Sequence, residues 1–117
     1  VSVCEPILNV LAARRFNYAS EEDLQQGLAV ALAAAGFDVE REVRLDNRSR
    51  IDLLVGRVGI EVKVAGAATS VLRQLRRYAL SDRIDGLVLV TSRVRHQAPS
   101  KLEGKPLRIY QIAGGAL

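Results

Sequence analysis

Apolar residues recur over positions 21–35 at the spacing of one helical face, with Leu24, Leu28, Ala31, Leu32 and Ala35 on a single stripe. Ser20 stands as an N-cap, Glu21, Glu22 and Asp23 occupy a first turn where acids are favoured, and Gly36 stops the run. The spacing therefore predicts a helix over 21–35. Extending its stripe back one turn lands on Glu21, on the sheet-facing side, whereas Glu22 falls with Gln25, Gln26 and Ala29. A shorter helix is predicted over 6–14 (PILNVLAAR), with Pro6 tolerated in its first turn. From 37 to 45 (FDVEREVRL) apolar and charged residues alternate as in a half-solvated strand, which Asp46-Asn47 ends as a turn. Positions 51–55 and 58–64 read as strands two and three. Gly56-Arg57 between them is a two-residue loop with Gly first, the pattern of a type II′ hairpin, so these strands are adjacent and antiparallel.

Gly66 ends the hairpin, and a helix over 67–80 buries Val71, Leu75, Tyr78 and Ala79 while Arg73, Arg76 and Arg77 face away. The continuously apolar run 86–91 (GLVLVT) predicts a central strand buried on both faces and reached by a β-α-β crossover. A polar loop over 92–106, carrying Arg93, Arg95, His96, Lys101 and Lys105, leads to an edge strand over 107–112, and the Gly114-Gly115 tail should fray. The order, a short helix, then α-β-β-β-α-β, then a last strand, is that of one α/β domain over 1–117. Its mixed sheet has four to five strands and is flanked by helices. No internal repeat, low-complexity tract or linker interrupts it.

Composition narrows the picture. Trp and Met are absent and aromatics make up 4%, so Val, Leu, Ile and Ala must build the core. Seventeen Lys and Arg against 13 acids leave +4, with a pI near 9.7. A surplus of that sign concentrates polyanions, nucleic acid first among them, although it also serves ordinary solubility. The single Cys4 makes no internal disulfide and suits a reducing, cytoplasmic compartment. Glu5, Arg14 and Arg15 break up any leader-like apolar core, and the longest apolar stretch, 28–37, falls short of the roughly 20 residues of a membrane span. A soluble protein with no membrane partner is expected. The chain begins with Val1, as a processed product or part of a longer protein would.

Strand alternation locates the chemistry. If Val55 pairs with Val58, then Leu53 opposes Ile60, Asp52 opposes Glu61 and Ile51 opposes Val62, and every pair matches in type. A three-residue loop would instead pair apolar with charged residues throughout. Asp52, Glu61 and Lys63 thus share a face. Two carboxylates so close repel unless a cation lies between them, and an all-oxygen donor set with no Cys/His cluster points to Mg²⁺ or Mn²⁺ and away from zinc. Lys63, two residues beyond Glu61, is placed to orient an attacking water or to offset charge on a phosphorane-like transition state.

Ile51-Asp52, then Glu61-Val62-Lys63, then Gln74-Leu-Arg-Arg-Tyr78 in the following helix together resemble the PD-(D/E)XK nuclease superfamily, over roughly residues 20–91. The chain is similar in particular to the small viral replication-repair, Holliday-junction-resolvase and RecB-type branches. The resemblance implies a restriction-endonuclease-like core and a metal held by Asp52, Glu61 and the backbone carbonyl of Val62, with Lys63 beside the nucleophilic water. It also implies a helix-one glutamate in the site, matched here by Glu21, and a Q-x-x-x-Y element near metal and DNA, matched by Gln74 and Tyr78. Ile51 stands where the pattern has proline, one cysteine cannot hold the iron–sulfur cluster of some RecB-type relatives, and no second domain is present for reading bases.

Each residue also has a plainer reading. An E-x-K triplet arises readily in a solvated strand, and only Asp52, the acidic helix start and the Gln74/Tyr78 helix in the required order make it specific. Glu21 and Glu22 are favoured by the helix dipole whatever their role, and Glu22 reads as solvated. Tyr78 fits a core aromatic with Gln74 its neighbour, Glu42 reads as a cross-strand ion-pair partner of nearby arginines, and His96 as solvated. Arg73, Arg76 and Arg77 form either a phosphate-tracking stripe or the wet side of a helix, and three in five residues favours the stripe. The function expected is Mg²⁺-dependent hydrolysis of DNA phosphodiester bonds, selective for structure or strand ends, in a phage or bacterial repair or recombination setting. A homodimer would span a branched or duplex substrate, although nothing in the sequence specifies one. The alternatives are a catalytically inactive nucleic-acid- or protein-binding module on the same fold, and a structural domain whose acid pair is incidental.

Overall fold

The computed structural model describes residues 2–64, 68–92 and 98–112, the side chains of Ala68 and Thr69 excepted. Within them are three helices, α1 (Glu5–Ala12), α2 (Glu21–Ala34) and α3 (Ala68–Ala79), and six strands. The strands are β1 (Val39–Asp46), β2 (Ser49–Val55), β3 (Val58–Lys63), β4 (Gly86–Thr91), β5 (Lys101–Leu102) and β6 (Lys105–Gln111). They form one mixed α/β sheet in the order β1-β2-β3-β4-β6-β5. β1-β2, β2-β3 and β5-β6 are antiparallel, while β3-β4 and β4-β6 are parallel. The expected core order is present as α2-β1-β2-β3-α3-β4. Gly66 and Ala67, the basic residues Arg93, Arg95 and His96, and the Gly114-Gly115 tail lie outside the described residues.

Local chemistry explains the element ends. Ser20 Oγ accepts the Asp23 N–H (3.1 Å) and caps α2. At the other end Gly36, with φ +98°, closes the helix. Its N–H goes to the Ala33 carbonyl and that of Phe37 to Leu32, a Schellman arrangement. Phe37 is thereby used by the helix, so β1 begins at Val39 and not at 37. Gly56 has φ +61° while Arg57 stays out of the left-handed region, which makes the β2-β3 turn type II′ as its sequence predicts. Asp46 Oδ1 accepts the Arg48 N–H (2.7 Å), tightening the β1-β2 turn so that β2 starts at Ser49, two residues earlier than expected.

The sheet is sandwiched between helices. α1 and α2 cover one face, where Leu11, Leu24, Leu28 and Leu32 pack on Leu53, Ile60, Val88 and Val90. α3 covers the other, where Val71, Leu75 and Tyr78 pack on Leu54, Leu87 and Leu89. β4 is central and feeds both, as its unbroken apolar run predicts. Two expectations need correction. The sheet has six strands, not four to five, because Glu103-Gly104 turns the two-residue β5 onto the start of β6 inside the stretch that reads as loop. A pair of lysine-bearing dipeptides is too short and too charged to show alternation. α1 also ends at Ala12, two residues short of the predicted end, and starts at Glu5, an acid suited to the first turn. No helix among the described residues is long and apolar enough to cross a membrane.

Gly59 in β3 is required by packing. A Cβ there would lie 2.2 Å from Ile51 Cδ1, 3.0 Å from Ile84 Cδ1 and 3.1 Å from Leu87 Cδ2, all buried side chains. Gly59→Ala is expected to cost about 1–3 kcal/mol in chemical denaturation. Adding Ile51→Val, which removes the clashing methyl, should restore part of that loss. Additive costs in the double variant would show that Ile51 does not fill this space.

Candidate active site

The acid site forms where two strands change face together. Arg41 and Leu53 are paired across β1-β2, as are Val43 and Ile51, but Glu42 and Asp52 between them are not. Glu42 has φ +53°, a conformation that turns its peptide groups out of the ladder. Before this point Val39 and Leu53 belong to the α1/α2 side, and Arg41 reaches across to α2, hydrogen bonding Gln26 (2.6 Å) and Glu22 (2.9 Å). Beyond it Val43, Leu45 and Ile51 belong to the α3 side. Strict alternation, which would put Ile51 opposite Val62, is therefore broken, and Ile51 lies over Gly59 instead.

The break opens the seam between β2 and β3. Their ladder runs Val55–Val58, Leu54–Gly59, Leu53–Ile60 and stops, as the two-residue turn requires for those three pairs. Past it, carboxylates take over the ladder's donors. Val62 N–H, which a continued register would direct to β2 backbone, donates to Asp52 Oδ2 (2.8 Å). Asp52 N–H, opposite the left-handed Glu42 and unpaired with β1, points to Glu61 Oε1 at 3.4 Å. Just past the end of β3, Val64 N–H donates to Glu21 Oε2 (2.9 Å), brought there by the first turn of α2. The predicted Glu21, Asp52, Glu61, Val62, Lys63 and Gln74 accordingly line one polar cleft of about 240 Å³.

Electrostatics in this cleft are strained. Glu61 is 3% exposed, under α3, and burial, followed by the nearby Asp52 carboxylate, pushes its carboxyl up to about 8. Burial also raises Asp52, with the Val62 N–H opposing and Glu21 reinforcing the rise. Lys63 favours the charged form of both acids. Burial raises the Tyr78 hydroxyl too, so it stays protonated and donates to the Arg50 carbonyl (3.0 Å) beside Glu61 and Gln74. Four acids, Glu21, Glu42, Asp52 and Glu61, face the cleft against Lys63 and Arg50, a local negative excess in a chain of net +4.

This donor set fits a hard divalent cation. Asp52 and Glu61 each bring a carboxylate whose charge is disfavoured by burial and by the other, and a cation between them reverses that cost. No group of three or more His, Cys, Asp or Glu among the described residues is spaced as a ready-made metal site. One or two carboxylates completed by water and phosphate oxygens is the habit of Mg²⁺.

The remaining predicted residues sit around the cleft. Tyr78 is buried at its base, which unites its two readings, core aromatic and site neighbour. Arg73, Arg76 and Arg77 are exposed on the outer side of α3, and none forms an ion pair among the described residues. Glu22 is exposed and paired with Arg41 (2.9 Å). Two cleft residues escape the sequence reading. Glu42 and Arg50 lie on the cleft wall, 3.9 Å apart, so Glu42 does pair with an arginine but also faces the acids. The one trace of this change of face in the sequence is Arg41, a charge on the apolar parity of Val39, Val43 and Leu45. Compared with known proteins, the chain matches no protein-family model, no curated protein and no solved structure.

Proposed function

We propose that this chain is a metal-dependent nuclease that hydrolyses DNA phosphodiester bonds, on a core of the PD-(D/E)XK type that its α-β-β-β-α-β order resembles. The observation that carries the reading is the convergence of Asp52 and Glu61 at the broken end of a hairpin, with Lys63 beside them. Mg²⁺ or Mn²⁺ would be held by Asp52, Glu61 and the Val62 carbonyl, with Glu21 alongside, and supplies a Lewis acid for the scissile phosphate and a lowered pKa for water.

The protein's own groups do the rest. The Val62 N–H bond fixes the Asp52 carboxylate in the seam and leaves Oδ1 for a ligand. Glu61, covered by α3, is almost wholly buried at the cleft wall, which strengthens its electrostatic interactions. The Lys63 ammonium orients the attacking water and offsets charge growing on the phosphate. Arg73, Arg76 and Arg77 neutralise flanking phosphates, so affinity for DNA should fall with salt. The selectivity expected is for the shape or ends of the substrate. The lone thiol is compatible with a cytoplasmic location, and pairing of two copies would suit a branched substrate.

The test is incubation with single-stranded, duplex and branched DNA, in Mg²⁺ or Mn²⁺ and in chelator. Cleavage that requires the metal and falls about a hundredfold or more in Lys63→Ala is the expected result. Equal cleavage by Lys63→Ala and wild type would remove the mechanism.

A further inference from the structure

A second cleft, of about 390 Å³, lies between the α1-α2 connection and the end of β6. Arg14, Arg15, Phe16 and Asn17 form one wall, and Tyr110 and Gln111 the other. Both arginines are exposed, and neither has an ion-pair partner among the described residues. The chain has only five aromatic residues, and two of them, Phe16 and Tyr110, meet here with their rings half-buried. Tyr110 is fixed by its hydroxyl, which donates to the Leu11 carbonyl (3.1 Å), and Phe16 packs beside Gly27. The rings are therefore held in place, next to cations free to take anions.

The position of this cleft relates it to the acid site. Lys63, Thr91 and Gln111 stand in one row across β3, β4 and β6. Two strand spacings, roughly 10 Å, therefore separate the Lys63 backbone from that of Gln111 along the carboxyl edge of the parallel strands, with Tyr110 turned to the α1/α2 side of the sheet and Glu61 to the α3 side. The same α1-α2 connection carries Arg14 to Asn17 and then, four residues after Asn17, delivers Glu21 into the acid cleft.

We infer that the Arg14/Phe16/Tyr110 cleft is a subsite for an unpaired nucleotide of single-stranded DNA whose strand continues round the carboxyl edge of the sheet to place another of its phosphates in the acid cleft. The role rests on the nuclease reading, because the strand is placed there as the continuation of a substrate seated at Asp52 and Glu61. The chemistry selects an unpaired strand. Bases in a duplex are stacked on one another and offer no ring face to a concave aromatic pocket, whereas an unpaired base stacks on Phe or Tyr while arginines take its phosphates. The substrate class is thus DNA with a single-stranded end or flap.

The test reads binding of a fluorescein-labelled oligothymidylate 12-mer, and of a duplex of equal length, to the whole chain in EDTA, where turnover does not intervene. Phe16→Leu keeps the apolar cover on Gly27 and removes the π-face. It should weaken single-strand binding about fivefold or more and duplex binding less than twofold. Arg14→Ala with Arg15→Ala, at two exposed positions, should leave the fold intact, weaken single-strand binding about tenfold or more and reduce its log–log salt slope by about 1.4. A wild-type protein that binds duplex in preference, or single-strand affinity and salt slope unchanged in the arginine variant, overturns the subsite however active the protein is. A protein that binds as expected yet never cleaves keeps the subsite and loses the nuclease reading.

Discussion

Replacing Asp52 by Asn is expected to reduce metal-dependent cleavage about a thousandfold or more while leaving the thermal midpoint in chelator unchanged or higher. The two halves of this expectation have one cause. The amide oxygen of Asn still accepts the Val62 N–H, so the seam between β2 and β3 keeps its hydrogen bond. What disappears is the charge, which burial and Glu21 disfavour in the folded protein and which itself raises Glu61. Removing one of two buried like charges relieves the fold and deprives a divalent cation of half its carboxylate set. A purely structural Asp52 would behave in the opposite way, with lost stability and no selective loss of turnover. Single-turnover cleavage and thermal melts of the same preparation distinguish the two, and undiminished cleavage by Asp52→Asn would exclude the residue from the chemistry.

In chelator, the protein should lose stability as pH rises from 5.5 to 8.5, by a few kcal/mol or about 10 °C in thermal midpoint. The sign follows from proton counts. Glu61 titrates near 8 in the folded chain and near 4.5 when unfolded, so between those values the folded state binds more protons. Its contribution is complete below about 4.5 and is lost as pH climbs through about 8. Most acids in proteins act in the reverse sense, so a decline over this window identifies the buried pair. Glu61→Gln, neutral in both states, should flatten the profile. Mg²⁺ should restore stability chiefly at the alkaline end, where both carboxylates are available as anions. A chelator-treated protein whose midpoint rises or stays level from 5.5 to 8.5 contradicts a Glu61 held in this way.

Much of this architecture is legible in the sequence, and for identifiable reasons. α2 is marked by Ser20, three acids and Gly36, each tied to a backbone group that the helix end leaves unpaired, and the structure uses Ser20 and Gly36 accordingly. Gly56-Arg57 fixes the β2-β3 register through turn geometry alone. Glu21 is reached by extending a helical stripe, and it does meet the acid cleft. Alternation fails at Asp52. A rule of period two assumes an unbroken strand, and the left-handed residue Glu42, opposite the unpaired Asp52, changes the face of both strands without shifting their register, so Ile51 moves to the α3 side. Glu42 and Arg50 were invisible as cleft residues for the same reason. The second cleft was hidden differently: Arg14 to Asn17 and Tyr110 are 93 to 96 residues apart and meet only because β6 lies parallel to β4.

The central claim is that Asp52 and Glu61 share a divalent cation, and diffraction from Mn²⁺-soaked crystals at the manganese absorption edge tests it most directly. The expected result is an anomalous peak within coordinating distance of both carboxylates and the Val62 carbonyl, absent from Asp52→Asn crystals soaked in the same way. A well-ordered soaked crystal with no peak between positions 52 and 61, or with manganese bound only elsewhere, would contradict it.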